Sequence, residues 1–359
     1  MNPNEVMSLV NKSVRNINTY HLDPFPAKIK LDQNENPNDW PLEIKNEIAE
    51  FCRKRPWNRY PAFVPENLKK LLAEYTGHTS DGIIAGNGSN EMLLVLLLSF
   101  ANAKAGVVLC QPTFTVYNLL ANGLGAGVSP VMLDADMSFN VDRICAEVKR
   151  RPGSVLVICS PNNPTGSCLD EAQIRTVLKA HTGILVLDQA YVEFGGYNGV
   201  PLLKEYPNLI ITRTFSKAMA GAGLRLGYML GRPEIIKEIN KIKLPYNINF
   251  FSEHVAEILL MNRELVISQI ELITRGREEL YSFFRTLPFD NVYPSGANFL
   301  LVRLKRKKDL FDHLLGCGIL VRDVSGYPML ENCLRINVGT SGENSELKRA
   351  MEGFFSARS

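Results

Sequence analysis

The runs Val155-Leu156-Val157-Ile158-Cys159, Ile184-Leu185-Val186-Leu187 and Leu209-Ile210-Ile211 decide the fold. Each is short, rich in β-branched residues and apolar throughout. A strand with one wet face alternates; a strand covered on both faces does not, and these do not. Val107-Val108-Leu109-Cys110 has the same texture, and helical stretches lie between the runs, for example Asn90 to Phe100 and Glu171 to Ala180. Strand and helix in repetition predict a doubly wound α/β sheet.

Outward from this centre the texture changes. After about residue 260, Val266, Ile270, Ile273, Leu280, Phe284 and Leu287 recur at helical spacing and mark one face of a long amphipathic helix. Strands are expected at Phe299 to Val302, Ile319 to Val321 and Leu334 to Val338, with a closing helix from Ser345 to Phe355. That is an α+β unit. The first 50 residues are polar and rich in Pro and Asn, with one helix near Leu42 to Cys52. The expected organisation is an N-terminal arm (1–50) packing with a small C-terminal domain (261–359), around a large domain (51–260).

Composition narrows the function. Of 359 residues, 45% are hydrophobic and 21% charged, which are ordinary globular values. Lys plus Arg exceeds Asp plus Glu by 40 − 37 = 3, too little to argue for nucleic acid or an anionic membrane as partner. The seven cysteines are odd in number and widely spaced, without C-x-x-C, and the five histidines are scattered. A reducing compartment and no built-in metal site are expected. The start, Met1-Asn2-Pro3-Asn4-Glu5, carries no signal-peptide pattern, and the longest apolar run, Met92 to Leu98, is far too short to span a bilayer. The expectation is a soluble, cytoplasmic protein.

The chemistry-bearing residues sit where apolar runs end, which is where open α/β sheets bind ligands. Ala85-Gly86-Asn87-Gly88-Ser89-Asn90-Glu91 leads into an apolar helix; Ser89 or Asn90 can cap it, and its free N–H groups suit a phosphate. An ordinary capped loop reads equally well. Ser160-Pro161-Asn162-Asn163-Pro164-Thr165-Gly166 is a turn in which Asn163 can donate to a ligand oxygen. Asp188 ends four apolar residues and needs a partner, either a ligand cation or the protein itself. Most specific is Thr212-Arg213-Thr214-Phe215-Ser216-Lys217-Ala218, with Arg225 eight residues on. A lysine there can have its pKa lowered and react with an aldehyde, while Thr214, Ser216 and Arg225 hold a phosphate. One ligand with a phosphate, a pyridine nitrogen, an aldehyde and a ring hydroxyl explains all four stretches: pyridoxal phosphate.

With Asn34-Glu35-Asn36-Pro37, Arg59-Tyr60-Pro61, Pro112-Thr113-Phe114, Pro245-Tyr246-Asn247, Ala297-Asn298-Phe299 and Leu334-Arg335-Ile336-Asn337 added, the chain resembles the fold-type I, pyridoxal-phosphate-dependent aminotransferases of class I/II, and among them the histidinol-phosphate branch. The resemblance implies a mixed, mostly parallel sheet in the large domain and a homodimer with shared active sites. It implies that Lys217 carries the cofactor and moves the substrate proton, that Asp188 pairs with the pyridine nitrogen, and that Tyr191 and Asn163 bind the ring hydroxyl oxygen. Phe114 would stack on the ring. Ser89, Asn90, Thr214, Ser216 and Arg225 would hold the phosphate, joined by Tyr60 of the neighbouring subunit. Arg335 would take the carboxylate of glutamate or 2-oxoglutarate, and Tyr20, Arg322 and Arg335 the phosphate of histidinol phosphate.

Other readings stay open for the outer members: Tyr20 as a surface residue, Arg322 paired with Asp323, Phe114 as core. Gln189 stands where the family usually has Glu, Ala62 where it often has Asp, and Asn90 where Asp is frequent. Rival functions of the same fold are an aromatic or other amino-acid aminotransferase and a decarboxylase of a phosphorylated amino acid. A transcription regulator would need a basic recognition helix, which the N-terminal segment lacks.

Overall fold

The computed structural model describes residues 1–15, 17, 25–102 and 104–356. Its larger sheet contains β2 (Ile83–Gly86), β3 (Val107–Gln111), β4 (Val128–Met132), β5 (Val155–Cys159), β6 (Ile184–Asp188), β7 (Leu209–Thr214) and β8 (Gly227–Leu230), in the order β2-β8-β7-β6-β5-β3-β4. β4, β3, β5, β6 and β7 are parallel neighbours; β8 runs antiparallel to both β7 and β2. The alternation within the apolar runs is real but hidden. Val108, Leu156, Leu185, Leu187 and Ile211 join one buried cluster, while Val107, Leu109, Val155, Val157, Val186 and Ile210 join the other. Helices Val141–Arg150 and Glu171–Ala180 cover the first face, and Ser89–Phe100 the second. Both faces are dry, so the runs that open β5, β6 and β7 carry no polar residue, and the first ones come toward the carboxyl ends of β6 and β7.

A second sheet has the order β1-β11-β12-β10-β9, from β1 (Ile29–Leu31), β9 (Asn291–Tyr293), β10 (Phe299–Arg303), β11 (Ile319–Asp323) and β12 (Cys333–Asn337). It is antiparallel except at its edge, where β1, contributed by the first 50 residues, lies parallel to β11 with Leu31 opposite Val321. The long helix Arg263–Phe284 buries Val266, Ile273, Leu280 and Phe284, the face that the spacing of apolar residues predicts.

The strands not anticipated have physical reasons for it. β8 begins at a glycine and is four residues long; β4 carries Pro130, which removes a ladder donor and is tolerated because β4 is the sheet edge. Neither Ser89 nor Asn90 caps its helix. The cap is Gly88 at φ +83, without a side-chain bond, and the Glu91 carboxylate instead reaches back to the Asn87 N–H. All seven cysteines are free. Among the described residues no cluster could hold a metal ion, and no helix is long and apolar enough to cross a membrane.

Candidate active site

The carboxyl ends of β5, β6 and β7 and the amino end of β8 lie along one edge of the large sheet. There they meet the small sheet and the arm around a cavity of about 400 Å³. Ser89, Asn90, Phe114, Asn163, Asp188, Tyr191, Thr214, Ser216, Lys217, Arg225, Arg322 and Arg335 all line it. Twelve residues placed by strand ends and motifs therefore converge. Tyr60 does not: it is 78% exposed and stacks on Tyr246 at 4.6 Å. Tyr20 lies outside the described residues.

One end of the cavity is a cup for an anion. Gly227 opens β8 where a Cβ would fall 2.3 Å from the Ser89 nitrogen, so only glycine lets the start of helix Ser89–Phe100 sit on the strand. A Cβ on Gly88 would meet the Arg225 guanidinium at 3.1 Å, which puts that cation against the same turn. The Thr214 hydroxyl donates to Ser216 Oγ at 3.0 Å and accepts from the Ser216 N–H at 3.1 Å; Arg225 Nη1 lies 3.4 Å from Ser216 Oγ. Backbone donors, two hydroxyls and a guanidinium share one small volume, the donor set of a phosphate site.

Asp188 forms the floor. It ends β6 fully enclosed, accepts from the Ala190 N–H at 3.1 Å and takes a 2.5 Å hydrogen bond from the Tyr117 hydroxyl. Burial raises its pKa, opposed by the bonds from Tyr117 and Ala190. Among the described residues it has no ion pair, so the protein itself supplies no cation for it. Tyr117 was not anticipated. It sits on helix Thr115–Gly123, one turn after Phe114, and nothing in the sequence separates it from a core tyrosine; only its i+3 spacing from Phe114, which it touches edge-on at 5.6 Å, gives a hint.

Lys217 lies in the turn after β7, half-buried on the wall of the cavity. Burial, with Arg335 and Arg225 adding repulsion, lowers its amine pKa to about 7, against a weaker opposing pull from Glu35. Its Nζ donates to the Gln33 carbonyl at 2.9 Å. Tyr191 accepts a 2.8 Å bond from Asn34 Nδ2, and burial pushes its phenol pKa up.

Above the floor, Arg322 of β11 and Arg335 of β12 are direct cross-strand partners. Like charges directly opposite are unfavourable in a sheet, so a pair facing one cavity is a place for an anion. Arg335 donates to Asn163 Oδ1 at 2.6 Å and to the Asp32 carbonyl at 2.5 Å. Asp323, the alternative partner of Arg322, pairs instead with Lys307 at 2.5 Å. Gln189 is buried behind Asp188. Its amide donates to the Tyr197 carbonyl and accepts from Arg213 at 2.8 Å, so the amide fills a hydrogen-bonding place and needs no charge.

A fold of this kind, with a lysine of lowered pKa and a buried carboxylate lining one cavity beside a cup for an anion, defines a class that comparison with known proteins shares. The chain belongs to the class I and II aminotransferases, whose family profile matches residues 26–354, and it is a pyridoxal-phosphate-dependent aminotransferase. Relatives narrow the class. The chain is 38% identical over 353 residues to the histidinol-phosphate aminotransferase of Chlorobium phaeovibrioides, covering 97% of each chain. It is 38% identical over 345 residues to that of Chlorobaculum tepidum, covering 94% of this chain and 98% of the other. The crystal structure of the histidinol-phosphate aminotransferase from Clostridium acetobutylicum superposes with a TM-score of 0.84 at 26% identity, covering 92% of this chain and 99% of that one.

The residues present fit the cofactor of the class. An enclosed carboxylate without a cation, an enclosed amine and a glycine-framed anion cup are each costly or idle alone, and one phosphorylated pyridine aldehyde suits all three.

Proposed function

We propose that this chain transfers the amino group between L-histidinol phosphate and 2-oxoglutarate, giving imidazole acetol phosphate and L-glutamate in histidine biosynthesis, as a cytoplasmic homodimer. The observation that carries the reading is the pairing of an enclosed lysine with two arginines at opposed strand positions, Arg322 and Arg335. The lysine serves the chemistry common to the class. The arginines suit two alternating substrates that share an anionic end, a carboxylate in one and a phosphate in the other.

In this reading pyridoxal phosphate supplies, when bound, the electron sink that stabilises negative charge developing at the substrate Cα. Lys217 would anchor it covalently, and the same amine, whose pKa the fold lowers, would be the group that carries the Cα proton. Asp188, held by Tyr117, would keep a proton on the pyridine nitrogen. Tyr191 and the amide of Asn163 would donate to the ring hydroxyl oxygen, Phe114 would support the ring, and the Ser89, Asn90, Thr214, Ser216 and Arg225 cup would take the phosphate. Arg335 orients the substrate carboxylate and Arg322 adds charge for the substrate phosphate, with Tyr20 from the arm. With the chain divided into arm (1–50), large domain (51–260) and small domain (261–359), these two arginines belong to the sheet of the small domain.

The exposed cluster of Tyr60, Phe63 and Tyr246 supports the dimer, because Tyr60 does not line the pocket of its own chain and is available to that of a second copy. The deciding experiment offers histidinol phosphate, phenylalanine, tyrosine and aspartate in separate half-reactions and follows the loss of the cofactor's visible band. Histidinol phosphate should react fastest by at least tenfold. Equal rates with an aromatic amino acid, or carbon dioxide release from a phosphorylated amino acid without keto-acid consumption, would overturn the reading.

A further inference from the structure

Three successive residues of the arm each hold one site residue. Arg335 donates to the Asp32 carbonyl, Lys217 to the Gln33 carbonyl at 2.9 Å, and the Asn34 side chain reaches the Tyr191 hydroxyl at 2.8 Å. The first two contacts use main-chain oxygens that any residue offers. The third depends on what residue 34 is. Asn34 is 1% exposed and adopts φ +55, a left-handed conformation that Asn tolerates and most residues do not. It is latched from the small domain: Asn298, itself fully buried, donates to the Asn34 carbonyl at 3.1 Å and to that of Glu35 at 3.4 Å. On the other side Asn36 Nδ2 donates to the Ala218 carbonyl, next to Lys217, and to Gln269 Oε1.

A phenol has one proton to give, and an amide nitrogen only donates. With Asn34 Nδ2 donating to the Tyr191 oxygen, the phenol accepts on that side and its proton is left to point elsewhere. The Asn34 Oδ1, which could have accepted it, finds no hydrogen-bond partner among the described residues. The groups facing the Tyr191 hydroxyl are Arg335, Asp188, Cys159 and Asn34, with Lys217 Nζ 5.9 Å from the ring centroid. Asp188 is already engaged by Tyr117 and the Ala190 N–H.

We propose that Asn34 is a positioning residue for the transamination: latched by Asn298, it donates to the Tyr191 hydroxyl oxygen and thereby commits the single phenol proton to the ligand side of the pocket. This rests on the reading of Tyr191 as a donor to the cofactor's ring oxygen. A phenol that accepts a hydrogen bond is also a better donor, because bonds in a chain polarise one another. Asn34 thus sets how well that oxygen bears negative charge, and with it how readily the Lys217 nitrogen conjugated to it gives up its proton.

The test is a pH titration of the visible absorption of the cofactor-loaded protein, in wild type, Asn34→Gly, Asn34→Asp, Tyr191→Phe and the two double variants. Glycine and aspartate both tolerate the left-handed backbone, so the arm keeps its path; glycine removes the donor, and aspartate replaces it with an acceptor that captures the phenol proton. The midpoint of the colour change should rise by about half to one pH unit in each single variant, the size of one net hydrogen bond. In the Tyr191→Phe background neither Asn34 change should move it further. Midpoints equal to wild type in both Asn34 variants, or an equal shift with phenylalanine at 191, would overturn the inference and leave Asn34 as an ordinary part of the arm's packing. A wild-type protein that takes up no cofactor would overturn the underlying reading of the site, and the inference with it.

Discussion

The two halves of the active site are built in different ways. The half proposed to hold the cofactor is made from the edge of one sheet: Asp188 ends β6, Thr214 ends β7, Ser216, Lys217 and Arg225 lie in the loop before β8, and Gly227 begins it. These residues are close in sequence and are held by neighbouring strands in register, Asp188 opposite Thr212 and Thr214 opposite Gly227. The half proposed to hold the substrate is assembled from far apart. Arg335 bonds to the Asp32 carbonyl across 303 residues of chain, and Asn298 to that of Asn34 across 264. The lesson is one of division. In the proposed reading, chemistry shared by a class sits on one sheet edge, while substrate choice falls to a second sheet and an arm that complete the pocket.

Variants in the two halves should therefore fail differently. The largest effect is expected from Lys217→Ala, which removes the anchor and the proton carrier together: turnover should fall by at least about 10³-fold, with loss of the visible band, measured by coupled assay and absorbance. Next comes Arg335→Lys. It keeps the charge and loses the planar fork, so kcat/KM for 2-oxoglutarate should fall by about 10- to 100-fold. Arg322→Met should instead penalise histidinol phosphate more than 2-oxoglutarate, and equal losses for both would erase the distinction between the arginines. Smaller again, Tyr117→Phe leaves Asp188 without its 2.5 Å donor. The carboxylate then loses a bond that favours its charged form, and cofactor affinity should weaken by about tenfold, readable by fluorescence titration of the apoprotein.

The smallest effect is a pH dependence of the apoprotein. The Lys217 pKa is lowered in the fold to about 7 from the ordinary lysine value of 10.5. Between those values the unfolded chain binds more protons at this site than the folded one, so its contribution to stability rises with pH across that window and levels off above the unfolded value. The melting temperature of the apoprotein should therefore gain less between pH 7 and pH 9 in Lys217→Met than in wild type. An identical pH dependence in the two would mean that the amine is not held in its neutral form by burial.

How much of this could be read from the sequence follows the same division. The strand ends of the large sheet were readable because burial on both faces keeps β5, most of β6 and the first half of β7 apolar, so Asp188 and the polar stretch from Thr212 to Lys217 stand out against apolar runs. Arg335 was readable for the same reason, being a guanidinium inside β12. Tyr117 was not, since a tyrosine on the inner face of a short helix looks like core until its hydroxyl is seen on Asp188. The Gln33 carbonyl carries no side-chain signal at all, and Asn34 belonged to a recognised motif whose contact with Tyr191 only the folded arm reveals. The reading of Ser89 or Asn90 as a cap failed because the glycine before them does that work, leaving the helix amide groups open to the cup.

The most direct test of the account is to load the protein with pyridoxal phosphate, reduce it with borohydride, digest it and locate the modified peptide by mass spectrometry. A single pyridoxyl phosphate adduct on Lys217 is the predicted result. An adduct on another lysine, or none, would contradict the central claim that this amine carries the cofactor opposite Asp188.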